Sequence, residues 1–321
     1  MTRTVVLDDR FGGLRDAFPA ELELTPAPVI EGDLARLSAL DDVVAIITVG
    51  NTPMPEPVFA LPKLKLLVML GSGFEAMDLE RLNAKGVAVS HGFGVNAPDV
   101  ATHAVAMFLA HNRRLTDGDR RVREGAFRDR SREAGIRSVA GLKVGIVGLG
   151  QIGAAIARRL EGFGCDLAWW GPREKPDEPL PRRRSLHELA QWSDVLFLAA
   201  RADHTNVGLI DRAIIEAVGP RGLIVNISRG SLADEDALIA ALREGRLGGA
   251  ALDVFEQEPT PPERWRDVPN VLLTPHSGGI GHLARLDMAR MAGETVLGFL
   301  ADGTVRNLAA GSMPSTAVGP G

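Results

Sequence analysis

Cysteine is nearly absent from this chain: Cys165 is the only one among 321 residues. A lone thiol excludes an intramolecular disulfide, cannot anchor a metal cluster, and fits a reducing compartment. A basic excess is missing too. The formal net charge is −5, and no Lys/Arg block is long enough to mark a nucleic-acid footprint. The short run Pro181-Arg182-Arg183-Arg184 reads as a solvated loop. Long apolar runs are also lacking. The longest apolar helix candidate, about residues 97–110, carries Asp99 and His103 and falls short of a membrane span. Met1-Thr2-Arg3 leads straight into Thr4-Val5-Val6-Leu7, too short a run for a signal-peptide core. These absences leave a cytoplasmic protein with no nucleic-acid, membrane or metal partner as the expectation.

What is present is ordinary for a globular protein: 45% hydrophobic and 24% charged residues, in a chain long enough for two domains. From Lys143 onward apolar runs alternate with helix-period stretches. The expected strands are 143–149, 165–170, 194–200, 222–228, 249–255 and 270–276, with helices near 151–162, 185–192, 211–219 and 234–245. Continuous apolar runs suit strands buried on both faces, so the alternation predicts a doubly wound parallel sheet. The first hundred residues repeat this rhythm, with strands expected at 4–9, 43–49, 64–70 and 86–91, but without a glycine fingerprint. They read as a second, smaller α/β domain. Asn96-Ala97-Pro98 is a helix-start signature for a segment crossing between the domains. The Arg-rich stretch 115–137 reads as an exposed arm, and the Gly/Pro/Ser-rich residues 311–321 as a disordered tail.

"GLGQIG" sets Gly148, Gly150 and Gly153 between a strand and a helix, with Gln151 and Ile152 inside the fingerprint. Gly148 permits the tight turn, Gly150 lets the backbone approach a pyrophosphate, and Gly153 lets helix and strand pack closely. The helix N-terminus then faces the anion. This predicts a dinucleotide site. The next strand should end, about 20 residues on, in an acid that reads the ribose hydroxyls. That acid is missing. "DLAWWGPREK" places Trp170-Gly171-Pro172-Arg173 there, with Glu174 just beyond. Gly171 leaves room and Arg173 can pair with a 2′-phosphate, with Lys175 close enough in sequence to assist, so NADP is favoured and NAD remains open.

Three ionisable residues fall at or beyond strand ends, where open α/β sheets bind ligands: Arg229, Glu258 and His276. Hydride transfer to a 2-keto acid needs a cation for the carboxylate and carbonyl, and an acid for the oxygen. Arg suits the first task and His the second. From the residues alone, Glu256 and Glu258 compete as the partner of the His, with Asp253 nearby. His91, ending "GVAVSH", is the best rival to His276.

"GLGQIG", "NISRGSLADEDAL", "GAALDVFEQEP" and "NVLLTPHSGG", in that order, resemble the D-isomer-specific 2-hydroxyacid dehydrogenase family, nearest its glyoxylate/hydroxypyruvate reductase branch. The resemblance runs from about Leu64 to Asn307. It implies a Rossmann cofactor domain inserted in a smaller flavodoxin-like substrate domain. The segments are 1–96 (substrate domain), 97–280 (cofactor domain with a dimerisation arm), 281–310 (return to the substrate domain) and the tail 311–321. It further implies Arg229 on the substrate carboxylate and carbonyl, His276 as general acid/base, and Glu258 rather than Glu256 as its partner. Ser72 and Gly73 of "MLGSGFEAMD" would hold the substrate carboxylate through their backbone. Cofactor contacts would include Thr205, Ile227, Ser228, Arg229, Asp253, His276 and Gly279, with Asp253 near the carboxamide. The chain departs from the family at Phe127, at "AARADHT" (199–205), and at Ala76. The implied protein is a homodimeric NADP-preferring 2-keto acid reductase. A non-catalytic NAD(P) sensor, similar to the corepressors of this family, is the alternative.

Overall fold

The computed structural model describes residues 4–128 and 136–314. In chain order the first elements are β1 (Thr4–Asp8), β2 (Leu24–Ala27), α1 (Ala35–Ser38), β3 (Val43–Thr48), α2 (Glu56–Ala60), β4 (Leu66–Met69), α3 (Leu79–Ala84) and β5 (Ala88–His91). Next come α4 (Ala97–Asn112), α5 (Leu115–Arg123), β6 (Lys143–Val147), α6 (Gln151–Glu161), β7 (Asp166–Trp170), α7 (Leu186–Trp192) and β8 (Val195–Leu198). The chain continues through α8 (Arg212–Val218), β9 (Leu223–Asn226), α9 (Glu235–Arg243), β10 (Gly249–Leu252), α10 (Pro262–Trp265), β11 (Val271–Leu273) and α11 (His282–Asp302). Two compact units result, Met1–Asn96 with Gly279–Gly321, and Ala97–Gly278. The return to the first unit thus begins at Gly279, slightly before the expected residue 281.

The first unit is a five-stranded parallel sheet in the order β2-β1-β3-β4-β5, the flavodoxin-like arrangement. Its strands are largely apolar because both faces are covered, with buried polar residues such as Asp8, Thr48 and Ser90. In β4, Leu67 and Met69 pack with Val58, Phe59 and Leu82. Leu66 and Val68 pack with Ala289, Ala292, Val296 and Phe299 of α11 on the other side. Sequence patterning missed β2, whose Leu-Thr-Pro-Ala is four residues long and includes Pro26. Proline has no N–H to donate to a ladder, and β2, which carries Pro26, is accordingly an edge strand.

The second unit is a six-stranded parallel sheet ordered β11-β10-β9-β8-β6-β7. Its alternating side chains also divide between two layers. Val195 and Phe197 of β8 meet Phe108, Ile156 and Leu160 of α4 and α6. Leu196 and Leu198 meet Leu189, Ile215 and Leu238 of α7, α8 and α9. Truncating a side chain as buried as Phe197 to Ala costs roughly 3–5 kcal/mol. Strand order reverses between β6 and β8, so their carboxyl ends form the switch-point crevice where α/β sheets bind nucleotides.

Beyond β7 the sheet gains one further parallel bridge, Trp169 to Arg182. Within the run read as a solvated loop, Pro181 and Arg184 are exposed but Arg182 and Arg183 are half-buried. Arg182 lies over the Trp169 ring and Arg183 over the Trp192 ring, 5.7 and 4.5 Å from the centroids. Flat guanidinium groups stack on aromatic faces, and composition alone does not register this. The arm expected over 115–137 begins with α5, which is tied by Arg120–Asp117 and Arg123–Asp119 ion pairs. Its residues 129–135 lie outside the described residues, as do 315–321 of the tail. The tail's first residues are anchored rather than loose. Asn83 donates to the Gly311 carbonyl and accepts from the Met313 amide, and the Ser312 hydroxyl accepts from the Val89 amide.

Candidate active site

The β6–α6 turn has the geometry of a phosphate cradle. Gly148 has φ of +89°, and a Cβ there would lie 2.6 Å from the Cα of Ala200. A Cβ on Gly153 would fall 2.1 Å from the Gly148 carbonyl oxygen, so helix and strand pack at backbone contact. At Gly150 the opposite holds: a Cβ would meet nothing within 4 Å. Gly150 is also the N-cap of α6, with no side-chain cap. The Gln151, Ile152 and Gly153 amides at that helix start are the ordinary donors for an anion. Open space before Gly150 and an uncapped helix start fit the pyrophosphate of a dinucleotide.

At the end of β7, Gly171 stands where a carboxylate would read a ribose. Arg173 is exposed beside it. Arg182, which sequence reasoning left in a loop, donates from Nη2 to the Gly171 carbonyl at 2.9 Å and sits 3.6 Å from Glu174. Lys175 reaches back to the Leu149 carbonyl inside the glycine turn. Glu174 is thus drawn toward Arg182, on a turn that also carries Arg173 and Lys175. The signal for Arg182 was the bridge partner Trp169, which local periodicity does not announce.

Arg229, Glu258 and His276 all follow carboxyl ends of adjacent strands, β9, β10 and β11. His276 Nδ1 lies 2.6 Å from Glu258 Oε2. Glu258 Oε1 accepts from the Phe255 amide at 3.0 Å. Burial pushes the Glu258 carboxyl up, but the His276 and Phe255 hydrogen bonds, with the His276 and Arg229 charges, hold it below its ordinary range. It is therefore an ionised acceptor, and Nδ1 of His276 is the donor. Nε2 lies outside this pair. The carboxylate that meets His276 is that of Glu258, while the Glu256 amide donates to the buried Glu235 carboxylate. Arg229 is braced by its own turn: Nη1 donates to the Ser228 carbonyl at 2.7 Å, and Asn226 Nδ2 to the Arg229 carbonyl at 3.0 Å.

His276 is held in the left-handed region, with φ of +50°. A non-glycine residue there needs surrounding structure to enforce it. Buried Asp253 does so. Its carbonyl accepts from the His276 amide at 2.8 Å. Its carboxylate accepts from the Ser277 and Gly278 amides, both at 2.8 Å, and from the Thr274 hydroxyl at 2.6 Å. His103 of α4 closes this cluster, 3.0 Å from Thr274 Oγ1 and 3.3 Å from Asp253 Oδ1. Sequence reading assigned Asp253 to the cofactor and gave His103 no role.

The remaining expected cofactor residues are dispersed along the loops. Thr205 donates through its hydroxyl to Asp203 in a local turn, and Ser228 to the Ala200 carbonyl. Ile227 is buried, and Gly279 is the first residue of the returning segment. In the smaller unit lies His91, the rival to His276 in the sequence reading. Its Nδ1 is 2.9 Å from the Ser72 carbonyl, and its ring packs edge-on to Phe74 and Phe93. It braces the Ser72–Gly73 loop. Gly50 backs the same loop so closely that a Cβ there would lie 2.2 Å from the Gly73 carbonyl oxygen. Among the described residues, no group of three or more His, Cys, Asp or Glu could hold a metal ion, and no helix is long and apolar enough to cross a membrane.

A glycine cradle at a switch point, with an Arg and a Glu–His pair at the neighbouring strand ends, defines a nicotinamide-dependent oxidoreductase. Residues 105–278 match the family model described as D-isomer specific 2-hydroxyacid dehydrogenase, NAD binding domain. The chain belongs to that family and is an NAD(P)-dependent enzyme of the 2-hydroxyacid class. It is 40% identical to a hydroxyphenylpyruvate reductase of Plectranthus scutellarioides, over 70% of this chain and 71% of that one. It is 41% identical to a glyoxylate/hydroxypyruvate reductase of Arabidopsis thaliana, over 68% and 69%. Its fold matches the NADPH-dependent glyoxylate/hydroxypyruvate reductase of Sinorhizobium meliloti, solved with NADP and malonate. The TM-score there is 0.83 and the identity 28%, with 98% of each chain covered.

Proposed function

We propose that the protein reduces a small 2-keto acid, of the glyoxylate or hydroxypyruvate kind, to the 2-hydroxy acid, with NADPH preferred to NADH. The observation that carries this reading is the 2.6 Å contact between His276 Nδ1 and Glu258 Oε2 on the sheet edge that also bears Arg229. When bound, the nicotinamide supplies or accepts the hydride. The Arg229 guanidinium binds the substrate carboxylate and draws charge from the carbonyl. His276 Nε2 delivers a proton to the carbonyl oxygen, and Glu258 offsets the charge of the imidazolium. Oxidation of the hydroxy acid uses the same groups in reverse. The Ser72 and Gly73 amides are assigned to the substrate carboxylate, and Gly148, Gly150, Gln151, Ile152 and Gly153 to the pyrophosphate. Thr205, Ile227, Ser228, Asp253 and Gly279 are assigned to the remainder of the coenzyme.

The coenzyme preference rests on Gly171 with Arg173, supported by Arg182 and Lys175 around the same turn. The NADPH-dependent reductase from S. meliloti supports it from outside this chain. A homodimer through the arm is supported by exposed Leu115, Val122 and Phe127. The lone Cys165 is in keeping with a cytoplasmic setting. Glyoxylate, hydroxypyruvate and phenylpyruvate, each assayed with NADPH and NADH, test the reading. Coenzyme oxidation with a keto acid, faster with NADPH, is expected. No turnover across a broad keto acid panel overturns the reductase, and faster turnover with NADH overturns the coenzyme preference alone.

A further inference from the structure

Glu235 opens α9 in the segment "NISRGSLADEDAL", and the reaction described above makes no use of it. Its side chain is almost wholly buried, at 4% exposure. Buried carboxylates persist when every oxygen is bonded and the charge is answered. Here Oε1 accepts from the Glu256 amide, and Oε2 accepts from Arg264 Nε at 2.9 Å. Arg264 is aimed by a second bond, from Nη2 to Asp236 at 2.9 Å. Its helix, α10, is folded onto the loop by the Phe255–Trp265 ring contact and by the Trp265 Nε1 to Thr260 bond.

The peptide that Glu235 holds is the one on which the site is built. The Phe255 amide, one residue earlier, is the donor that orients Glu258. From the other side, Gly230 presses on the same peptide: a Cβ on Gly230 would lie 1.9 Å from the Phe255 carbonyl carbon and 2.2 Å from the Glu256 nitrogen. Gly230 directly follows Arg229. The Phe255–Glu256 peptide thus lies between Gly230, next to Arg229, and the residue whose amide orients Glu258, and a buried acid anchors it.

We propose that Glu235 is a positioning residue for the reaction, acting through the Phe255–Glu256 peptide to hold Glu258 in register with His276 and Arg229. The activity assays rest on the reductase reading above. The backbone test does not. Glu235→Met keeps the volume and removes the acceptor, whereas Glu235→Gln keeps an oxygen for the Glu256 amide. In the Met variant, kcat is expected to fall about ten- to a hundredfold, since misplacements near 1 Å cost this much. The KM for NADPH should stay within about twofold, because the cradle lies elsewhere in the unit. The alkaline limb of the pH profile for keto acid reduction should move to lower pH as the Glu258–His276 pair loosens. The Gln variant should retain kcat within about threefold. Arg264→Ala spares the buried acid but removes the donor that aims it, and should shift the same readouts less. Native-state amide exchange over residues 253–261 should quicken in the Met variant and not in the Gln variant.

A folded Met variant with wild-type kcat, pH profile and exchange overturns the assignment. So does equal loss in the Met and Gln variants, which marks plain destabilisation. If the wild type reduces no keto acid, the reductase reading has failed, and amide exchange alone decides whether Glu235 holds the loop. Should the Met variant not fold, unchanged exchange and kcat in Arg264→Ala overturn the assignment.

Discussion

His276 and Glu258 meet at 2.6 Å between Nδ1 and Oε2, although His276 sits on a left-handed backbone and Glu258 on the loop of a different strand. Each is fixed from behind, His276 by Asp253 and Glu258 by the Phe255 amide. The pair is set by the protein and not by its ligand. His276→Ala should lower kcat by about 10²–10⁴-fold, the usual contribution of general acid–base catalysis, with small effect on coenzyme binding. Glu258 is held below its ordinary value of 4.5, so its ionised form stabilises the fold above that value, and this is lost as pH falls through the lower native value. Glu258→Gln should remove that acid sensitivity and also move the pH–rate limb. Steady-state profiles with urea midpoints at several pH values check both, and an unmoved rate profile would show the pairing to be wrong.

Coenzyme choice should respond to charge around Gly171. Arg173→Asp places a carboxylate where a 2′-phosphate would sit and should reduce the NADPH/NADH ratio of kcat/KM at least about tenfold, since losing one good charge-assisted contact exceeds 1.4 kcal/mol. Arg182→Ala should lower it less, because Arg182 is also engaged with Gly171 and Trp169. A ratio unchanged in both variants excludes this turn as the phosphate reader.

Two glycines should tolerate no side chain, for different reasons. Gly153→Ala would set a Cβ 2.1 Å from the Gly148 oxygen and open the cradle. A rise in coenzyme Kd of about tenfold or more is expected, read by nucleotide fluorescence titration. Gly230→Ala would strike the Phe255 carbonyl at 1.9 Å and should instead lower kcat while sparing coenzyme affinity. Identical kinetic signatures for the two would contradict the division of labour.

His111, near the end of α4, binds the Asn270 carbonyl through Nε2 at 2.9 Å. Desolvation, the largest influence, pushes its pKa below the ordinary 6.5. A depressed native value means that the unfolded chain takes up the proton first as pH falls. The contribution of His111 is thus present above 6.5 and is lost as pH falls through the lower native value. His111→Gln should flatten the loss of stability between about pH 7 and 5, measured by urea unfolding. An equal slope in both proteins would refute this origin.

Much of the molecule was legible along the chain because the signals are local. Two-sided burial turns strands into continuous apolar runs such as "DVLFLAA". Turn chemistry places glycine where backbone must meet backbone, as at Gly148 and Gly153. Arg229 and His276 came from the same reading of ionisable residues at apolar strand ends, whereas Glu258 over Glu256 came from the family resemblance. β2 escaped because four residues with a proline carry no period.

What tertiary structure alone decided are the pairings between distant residues. The resemblance implied Glu258 over Glu256, but the 2.6 Å approach of Glu258 Oε2 to His276 Nδ1 belongs to the packing of two separate loops. The place of Arg182 beside Gly171 depends on the bridge to Trp169. The left-handed His276 depends on Asp253, and Asp253 on His103 and Thr274. Hydrophobic period and glycine geometry are properties of neighbours along the chain, so the sequence by itself determined the two sheets, the cradle and the types of group at the strand ends. Hydrogen-bond partners are settled by distances of a few tenths of an ångström between segments far apart in sequence, and only packing the strands side by side could set them.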